Sequence, residues 1–257
     1  TTASYNTAVG ARALTANVLG THSVAIGSDT LSSANPSSAG AMYNVAVGNG
    51  AGNQVTTGAH NTLIGVAAGD AITTATWTTA VGMDAGGAIT TGVQNTFVGG
   101  GSGDATTTGA YNTGIGYASL GANTTAANNT AVGFTALAAN TTGAGNTAVG
   151  KGSSLTNTTG TLNVSVGQDA LGLNTTGDNN VAIGESALYN NTTADNNTAV
   201  GKSALVHNTT GAQNTALGRV ALTTNTTGAY NTGAGSSALY ANTTGAYNTA
   251  YGADALN

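Results

Sequence analysis

A glycine that returns at every seventeenth position is the feature that most constrains the fold of this chain. Each of these glycines ends a similar five-residue phrase, and only the interval from Gly27 to Gly48 is longer, by four positions. The phrase glycines are Gly10, Gly27, Gly48, Gly65, Gly82, Gly99, Gly116, Gly133, Gly150, Gly167, Gly184, Gly201, Gly218, Gly235 and Gly252. We call the segment that starts at each phrase glycine a turn and name it after that glycine. A short period held along the whole chain predicts a solenoid of stacked turns rather than a globular enzyme.

The residues before each phrase glycine alternate in the way typical of a β-strand. The fourth residue before the glycine is Asn in 13 of 15 turns, with Ser23 and Thr78 as exceptions, and the third is always β-branched. The second is Ala, Gly or Ser except at Leu63 and Phe97, and the last is Val or Ile in 12 turns. Because side chains alternate between the two faces of a strand, this pattern predicts a short strand. We expect the β-branched and Val/Ile positions to point into the turn, and the Asn/Ala face to pack closely against a neighbour outside it.

The second half of each turn, Ala-Leu-x-x-Asn-Thr-Thr-Gly, predicts how a thin interior is filled. We expect the leucine to point inward, the two threonines to form a second short strand, and the glycine to turn the chain back. In four turns the leucine position is glycine, and in three of them an apolar residue replaces the asparagine three positions later. The pairs are Gly52 with Val55, Gly69 with Ile72 and Gly86 with Ile89, whereas Gly103 is followed by Thr106. An apolar group that is lost at one place and returns nearby is what a close-packed interior requires.

Together these patterns predict an all-β parallel β-solenoid (a β-roll) of about fifteen 17-residue coils. Residues 1–257 are predicted to form one repeat domain, with a short loop insertion near 33–40 that holds the only proline, Pro36. Thr1 and Thr2 fall at the Thr-Thr place of a turn, and Asn257 lies shortly after the last phrase glycine. Because uncapped solenoid ends expose unpaired backbone, we expect either a longer chain around this segment or copies that stack end to end.

The composition narrows the classes of function. Charged residues make up 5% of the chain and the net charge is −5, so we expect no binding to nucleic acid or to an anionic membrane surface. The chain has no cysteine for a disulfide or thiolate metal site, and no apolar run long enough to insert in a membrane. Asp70 and Asp104, in phase but two turns apart, come nearest to a calcium site. His22, His60 and His207 show no spacing typical of a catalytic pair, and we expect no enzyme activity, cofactor or metal.

The strand phrase resembles the head repeat of the YadA-like trimeric autotransporter adhesins, which is also found in phage tail fibres. The resemblance is clearest at Ser23–Gly27 (SVAIG) and at Asn180–Gly184 (NVAIG), and it extends to all fifteen turns. It implies a left-handed parallel β-roll, three chains side by side and a role in surface attachment, although the 17-residue period is longer than that of those heads. In such a homotrimer we expect the small Ala/Asn face to be turned toward the neighbouring chains. A single solenoid with another segment over that face is the alternative.

Eight asparagines of the Asn-Thr-Thr segments match the acceptor pattern for N-glycosylation. They also occur once per turn in one row, so their amides are alternatively expected to form a ladder of hydrogen bonds from turn to turn, which we prefer. These residues are Asn123, Asn140, Asn157, Asn174, Asn191, Asn208, Asn225 and Asn242.

Aromatic residues recur five positions before a phrase glycine and are candidates for contact with a protein or glycan receptor. They are Tyr5, Tyr43, Trp77, Tyr111, Tyr230 and Tyr247. The simpler interpretation is a row of turn residues that pack over the neighbouring turns.

Three functions fit these features, all with the chain placed outside the cell, on the cell surface or on a virion. The first is a structural and adhesive attachment fibre, either an adhesin head or a tail-fibre segment, built as a homotrimer. The second is an extracellular filament in which copies form an end-to-end homopolymer. The third is an ice-binding solenoid, for which the Thr-Thr rows are better placed than the β-branched strand row.

Overall fold

The computed structural model describes residues 3–257, and it confirms an all-β parallel β-solenoid of about 14 turns with close to 17 residues each. The chain divides into two compact units, which meet in sequence between Asn129 and Thr130 and are described separately. The expected placement of Thr1 and Thr2 lies outside the described residues.

The described part of the first unit, residues 3–129, contains nine short strands. They are β1 (Thr7–Val9), β2 (Gly20–Thr21), β3 (Val24–Ile26), β4 (Gly40–Ala41), β5 (Val45–Val47), β6 (Thr62–Ile64), β7 (Thr79–Val81), β8 (Thr96–Val98) and β9 (Thr113–Ile115). The three-residue strands pair in parallel in the order β1-β3-β5-β6-β7-β8-β9, while β2 pairs separately with β4. Each three-residue strand is the predicted phrase that ends in glycine.

The second unit contains eight strands, all of three residues and all paired in parallel in chain order. They are β10 (Thr130–Val132), β11 (Thr147–Val149), β12 (Val164–Val166), β13 (Val181–Ile183), β14 (Thr198–Val200), β15 (Thr215–Leu217), β16 (Thr232–Ala234) and β17 (Thr249–Tyr251). Equivalent residues face each other, as Thr147 faces Val164 and Val164 faces Val181. Within each unit the turns are therefore stacked in register.

The longer interval in the first unit is absorbed outside the strands. Val24 of β3 still pairs with Val45 of β5 across this interval, and Val45 then pairs with Thr62. The extra residues lie between β3 and β4, where the Asn35 side-chain oxygen accepts a hydrogen bond from Val18 N–H at 3.2 Å. A loop that leaves the ladder intact can be accommodated on the surface of a solenoid.

Our expectation of which strand face points inward is wrong. The middle residue of the strand, such as Ala148 or Ala182, is fully buried, whereas Val149 and Ile183 beside them are 37% and 39% exposed. The β-branched third residue before the glycine is partly exposed on the same outer face. A turn this narrow leaves room for only a methyl group between the strand and the opposing leucine. The β-branched residues favour a pleated strand without being buried by it.

The leucine row fills the interior as predicted, although Ser154 takes the leucine position in one turn and is buried there. Leu137, Leu171, Leu188, Leu205 and Leu222 are fully buried. In the first unit Val55, Ile72 and Ile89 are also fully buried, and each occupies the space next to the glycine that replaces leucine. At Gly69, for example, a Cβ atom would lie 2.7 Å from Ile72 Cδ1.

The two large residues in the strand middle complete this filling. Leu63 Cδ2 lies 2.8 Å from the place where a Cβ at Gly69 would be, and the Phe97 ring occupies the space beside Gly103. Phe97 therefore fills the turn in which Thr106 does not replace the missing leucine. Because Leu63 and Phe97 occur where the leucines are absent, they also show that the strand middle belongs to the interior.

The second strand that we expected at Thr-Thr is not formed. In the described residues these segments are bends, although Thr158 N–H still donates to Thr175 O at 2.9 Å. The backbone ladder thus continues around the turn without regular strand geometry.

Candidate binding surfaces

Two rows of asparagine side chains form ladders inside the turns. In the row four residues before the phrase glycine, Asn44 Oδ1 accepts the N–H of Asn61 at 2.9 Å, while Asn44 Nδ2 donates to Gly58 O at 2.8 Å. The same pair of bonds recurs in most turns of both units, where the asparagines are buried. Each such amide therefore satisfies two backbone groups of the next turn, which is what buried polar groups require. Asn197 is an exception, since its Nδ2 is buried without a hydrogen-bond partner among residues 3–257. The sequence pattern did not identify this inner ladder.

The second ladder consists of asparagines that match the glycosylation pattern. Asn174 Nδ2 donates to Asn157 Oδ1 at 2.9 Å and to Gly177 O at 3.0 Å, and Asn191 Nδ2 donates to Asn174 Oδ1. Asn123, Asn140, Asn157, Asn174, Asn191, Asn208 and Asn225 are buried, and Asn242 is partly buried. A glycan on these nitrogens would require a ladder bond to break and the side chain to leave the interior.

The inner ladder is interrupted at Thr78, and this defect gives a prediction. Thr78 Oγ1 is buried and has no hydrogen-bond partner among residues 3–257, since its hydroxyl does not extend as far as an amide. We expect Thr78→Asn to raise the free energy of unfolding by about 1–2 kcal/mol, because the new amide can donate to Gly92 O and accept from Asn95 N–H. Urea unfolding followed by circular dichroism measures the gain. The outward neighbour offers a control, since Thr79→Asn should leave stability within about 0.5 kcal/mol. Equal values for both variants would contradict the ladder account.

The row five residues before each phrase glycine, which we call the corner row, holds all six candidate aromatics. Tyr43 and Trp77 have left-handed backbone conformations with φ of 50° and 59° and are 51% and 59% exposed. Tyr5, Tyr111, Tyr230 and Tyr247 are likewise exposed at this row. The left-handed corner points these side chains away from the turn.

Histidines join three of the four candidate aromatics of the first unit, Tyr5, Tyr43 and Trp77, into one stack, which we did not predict. His22 lies between Tyr5 and Tyr43, with ring centroids 4.8 and 5.2 Å apart, and His60 lies 5.3 Å from Tyr43. His60 and Trp77 stack with parallel planes at 4.1 Å. In the second unit Tyr230 and Tyr247 stack at 4.8 Å. Counting imidazoles with the aromatic rings at this position would have revealed the five-ring row.

Two carboxylates of the first unit, those of Asp70 and Asp104, lie beside Gly87. A Cβ atom at Gly87 would lie 2.9 Å from Asp104 Oδ1 and 3.6 Å from Asp70 Oδ1. Partial burial raises the pKa of Asp70, with the charges of Asp84 and Asp104 acting in the same direction. Partial burial and the charge of Asp84 also raise the pKa of Asp104. Within residues 3–257, no group of three or more His, Asp or Glu is arranged to hold a metal ion.

The raised pKa values predict a small gain in stability at low pH. Their favourable contribution is complete below the unfolded pKa, near 4, and is lost as pH rises through the folded pKa. We expect Asp104→Asn to raise the free energy of unfolding at pH 7 by less than about 1 kcal/mol, because solvent screens these carboxylates. At pH 3 the variant and the parent should unfold alike in urea. A variant that is less stable than the parent at pH 7 would contradict the repulsion.

The described residues contain no helix long and apolar enough to cross a membrane. Ion pairs join neighbouring turns at the surface, as Lys202 Nζ lies 2.9 Å from Glu185 Oε2. No protein-family model, no curated protein and no solved structure matches this chain.

Proposed function

We propose that this chain is a structural and adhesive segment of an attachment fibre, on a cell surface or on a virion. The observation that carries the proposal is the in-register stack, in which equivalent strand residues of successive turns face each other. Such a stack repeats one surface at an interval of about 4.8 Å. The interior is occupied by alanines, leucines and other apolar side chains and by asparagine ladders. The exposed corners are therefore free to vary in residue type from turn to turn.

The outward strand face supports self-association as a homotrimer. Val and Ile at the last strand position form a partly exposed row, with Val149 37% and Ile183 39% exposed, and no charged residue occurs in it. An uncharged apolar face of this kind is typical of the buried centre of a protein interface. The Ala/Asn face that we expected at the trimer contact is buried within each turn, so the contact is reassigned to the Val/Ile row.

Light scattering of the purified chain tests the assembly. A homotrimer predicts three times the 24.5 kDa chain mass, and Val149→Lys with Ile183→Lys should release monomers that retain the β spectrum. A monomeric parent chain would contradict the trimer, and open-ended filaments in electron micrographs would favour the end-to-end homopolymer instead.

The aromatic corner row of the first unit is the surface that we assign to adhesion. Tyr43 and Trp77 are exposed and held in place by the histidines between and beside them. Rigid aromatic side chains contribute much of the binding energy in protein interfaces and lose little conformational entropy on binding. The row therefore offers anchors for a protein or glycan receptor.

Adhesion can be measured with beads coated with the chain and presented to cells, purified surface proteins and glycan arrays. Tyr43→Asn with Trp77→Asn should reduce the adhesion about tenfold or more, because each anchor contributes about 1–2 kcal/mol. Asn occupies this left-handed position at Asn128 and Asn179, so the fold should tolerate it. Met83→Asn, on another edge, is the control and should adhere normally. Coated beads that bind nothing above an albumin coat would overturn the adhesive role.

A further inference from the structure

The two threonines of each Asn-Thr-Thr segment form a continuous surface within each unit, which we call the threonine wall. In the first unit the pairs are Thr56–Thr57, Thr73–Thr74, Thr90–Thr91, Thr107–Thr108 and Thr124–Thr125. In the second unit they are Thr141–Thr142, Thr158–Thr159, Thr175–Thr176, Thr192–Thr193, Thr209–Thr210, Thr226–Thr227 and Thr243–Thr244. Neither row contains another residue type along these turns.

The first threonine of each pair is held in one orientation by its neighbours. Thr158 Oγ1 donates to Thr175 O at 3.0 Å, and Thr175 Oγ1 donates to Thr192 O at 3.0 Å. The backbone follows the same register, with Thr175 N–H donating to Thr192 O at 2.8 Å. These repeated bonds give a row of methyl groups and hydroxyl oxygens with uniform direction and with the spacing of the turns, about 4.8 Å.

The second threonine of each pair faces solvent with its hydroxyl free. Thr91, Thr176 and their equivalents are exposed in all twelve turns that carry the pair, whereas Leu19 and Pro36 stand at this position in the first two turns. In the described part of the chain, their hydroxyls make no hydrogen bond to another residue. Because β-branching restricts χ1, these side chains are also limited in orientation although nothing covers them.

Packing does not explain why this exposed position is threonine in all twelve turns from Gly48 to Gly235. The position directly after the phrase glycine is exposed too, and in the second unit it changes between Phe134, Lys151, Gln168, Glu185 and Arg219. The same turns that vary freely at that edge retain threonine at the wall. An exposed side chain without an internal partner contributes little to the fold, so the uniform row suggests a contact outside the chain.

We propose that the threonine wall binds the surface of ice. Ice presents water molecules in a fixed lattice, so a protein surface that adsorbs to it needs hydroxyl and methyl groups repeated along a line on a rigid support. The wall supplies both groups once or twice per turn, carries no charge that would hold disordered water, and is fixed by the backbone ladder. A preorganised surface loses little entropy when it orders the water that joins it to the crystal.

The chemistry of the wall favours ice over the other periodic ligands. A glycan-binding surface is expected to present aromatic rings or side-chain amides to the sugar, and both are absent from the two threonine rows. The outward strand face is the other regular surface, but Val164 and Val181 interrupt its threonines and its second row is aliphatic. That face suits protein contact, and the wall remains free to meet a crystal.

Thermal hysteresis and the shaping of single ice crystals test the proposal directly. The purified chain should depress the freezing point below the melting point and produce faceted crystals. Thr91→Lys with Thr176→Lys places one bulky charge on the threonine wall of each unit. We expect the thermal hysteresis to fall about tenfold or more, because the lysines prevent close contact between the wall and the ice surface.

Matched controls lie in the same two turns. Met83→Lys with Gln168→Lys adds the same two side chains at exposed positions of another edge, and should leave the hysteresis within about twofold of the parent. All three proteins should show the same β spectrum and melting temperature. Absence of hysteresis and of crystal shaping in the parent chain, or an equal loss in both lysine pairs, would overturn the assignment.

Discussion

Replacing Gly99 with alanine is expected to cost at least about 3–5 kcal/mol of stability, because the residue combines a strained backbone with a close neighbour. Its φ is 134°, a value that residues with a side chain rarely adopt, and all phrase glycines share this conformation, with φ between 115° and 141°. A Cβ atom would lie 2.6 Å from the carbonyl carbon of Gly116 in the next turn and would overlap its oxygen. Backbone cannot move aside as a flexible side chain can, so the stack must open.

Gly100 provides a control one residue away. A Cβ atom there would meet the Tyr117 ring at 3.7 Å, which is ordinary van der Waals contact, and its φ is not in the left-handed region. We expect Gly100→Ala to be neutral or stabilising by up to about 1 kcal/mol, since alanine reduces the entropy of the unfolded chain. Urea unfolding followed by circular dichroism measures the free energy of unfolding of the Gly99→Ala and Gly100→Ala proteins. A Gly99→Ala protein as stable as the Gly100→Ala protein would show that the turns do not approach as described.

Two substitutions can give one turn of the second unit the glycine–isoleucine pattern seen in the first unit. They should show strong energetic coupling between interior positions 171 and 174. Leu171→Gly removes a buried side chain and should lower the free energy of unfolding by about 2–5 kcal/mol. Part of this loss, about 1–2 kcal/mol, returns because Leu171 has a left-handed φ of 53° that suits glycine. Asn174→Ile removes the amide between Asn157 and Asn191 and crowds Leu171, and should cost about 3 kcal/mol.

The double variant should be more stable than the sum of the two losses by at least about 1.5 kcal/mol. In the first unit Ile72 already occupies the space beside Gly69, and the new isoleucine can enter the volume that Leu171 leaves in the same way. The ladder bonds stay lost, so we expect partial rather than full recovery. Denaturant unfolding of the four proteins gives the coupling energy. Losses that add within about 0.5 kcal/mol, as they do for independent sites, would contradict the exchange of volume between the two positions.

The period and the interior filling could be predicted from the sequence, because both depend on spacing alone. In-register pairing follows from the 17-residue interval. Gly86 stands at the leucine position and Ile89 at the asparagine position of the same turn, which indicated that side chains at these two positions fill one shared volume. The inward face of the strand could not be inferred from alternation, which distinguishes two faces without naming the buried one. Leu63 and Phe97 carried that information, since large residues appear at the strand middle only where the leucines are missing.

The candidate surfaces were recognised less completely. Tyr43 and Trp77 were predicted to share an edge, but the stack depends on His22 and His60, whose rings we did not count with the aromatics. The buried ladder at Asn44 and Asn61 gave no sequence signal beyond a repeated asparagine, because burial of an amide depends on the carbonyl that it meets in the next turn. The free hydroxyl at Thr176 likewise became apparent only from its hydrogen-bond environment.

The loop between β3 and β4 has a consequence for protein engineering. Four extra residues around Pro36 leave the pairing of Val24 with Val45 unchanged. The pairing of strands therefore does not depend on the length of the loop that connects two turns. A peptide epitope grafted after Ser37 would be carried outside the core at a defined turn. The same tolerance at other turns would allow several different cargoes to be displayed at intervals set by the number of turns between them.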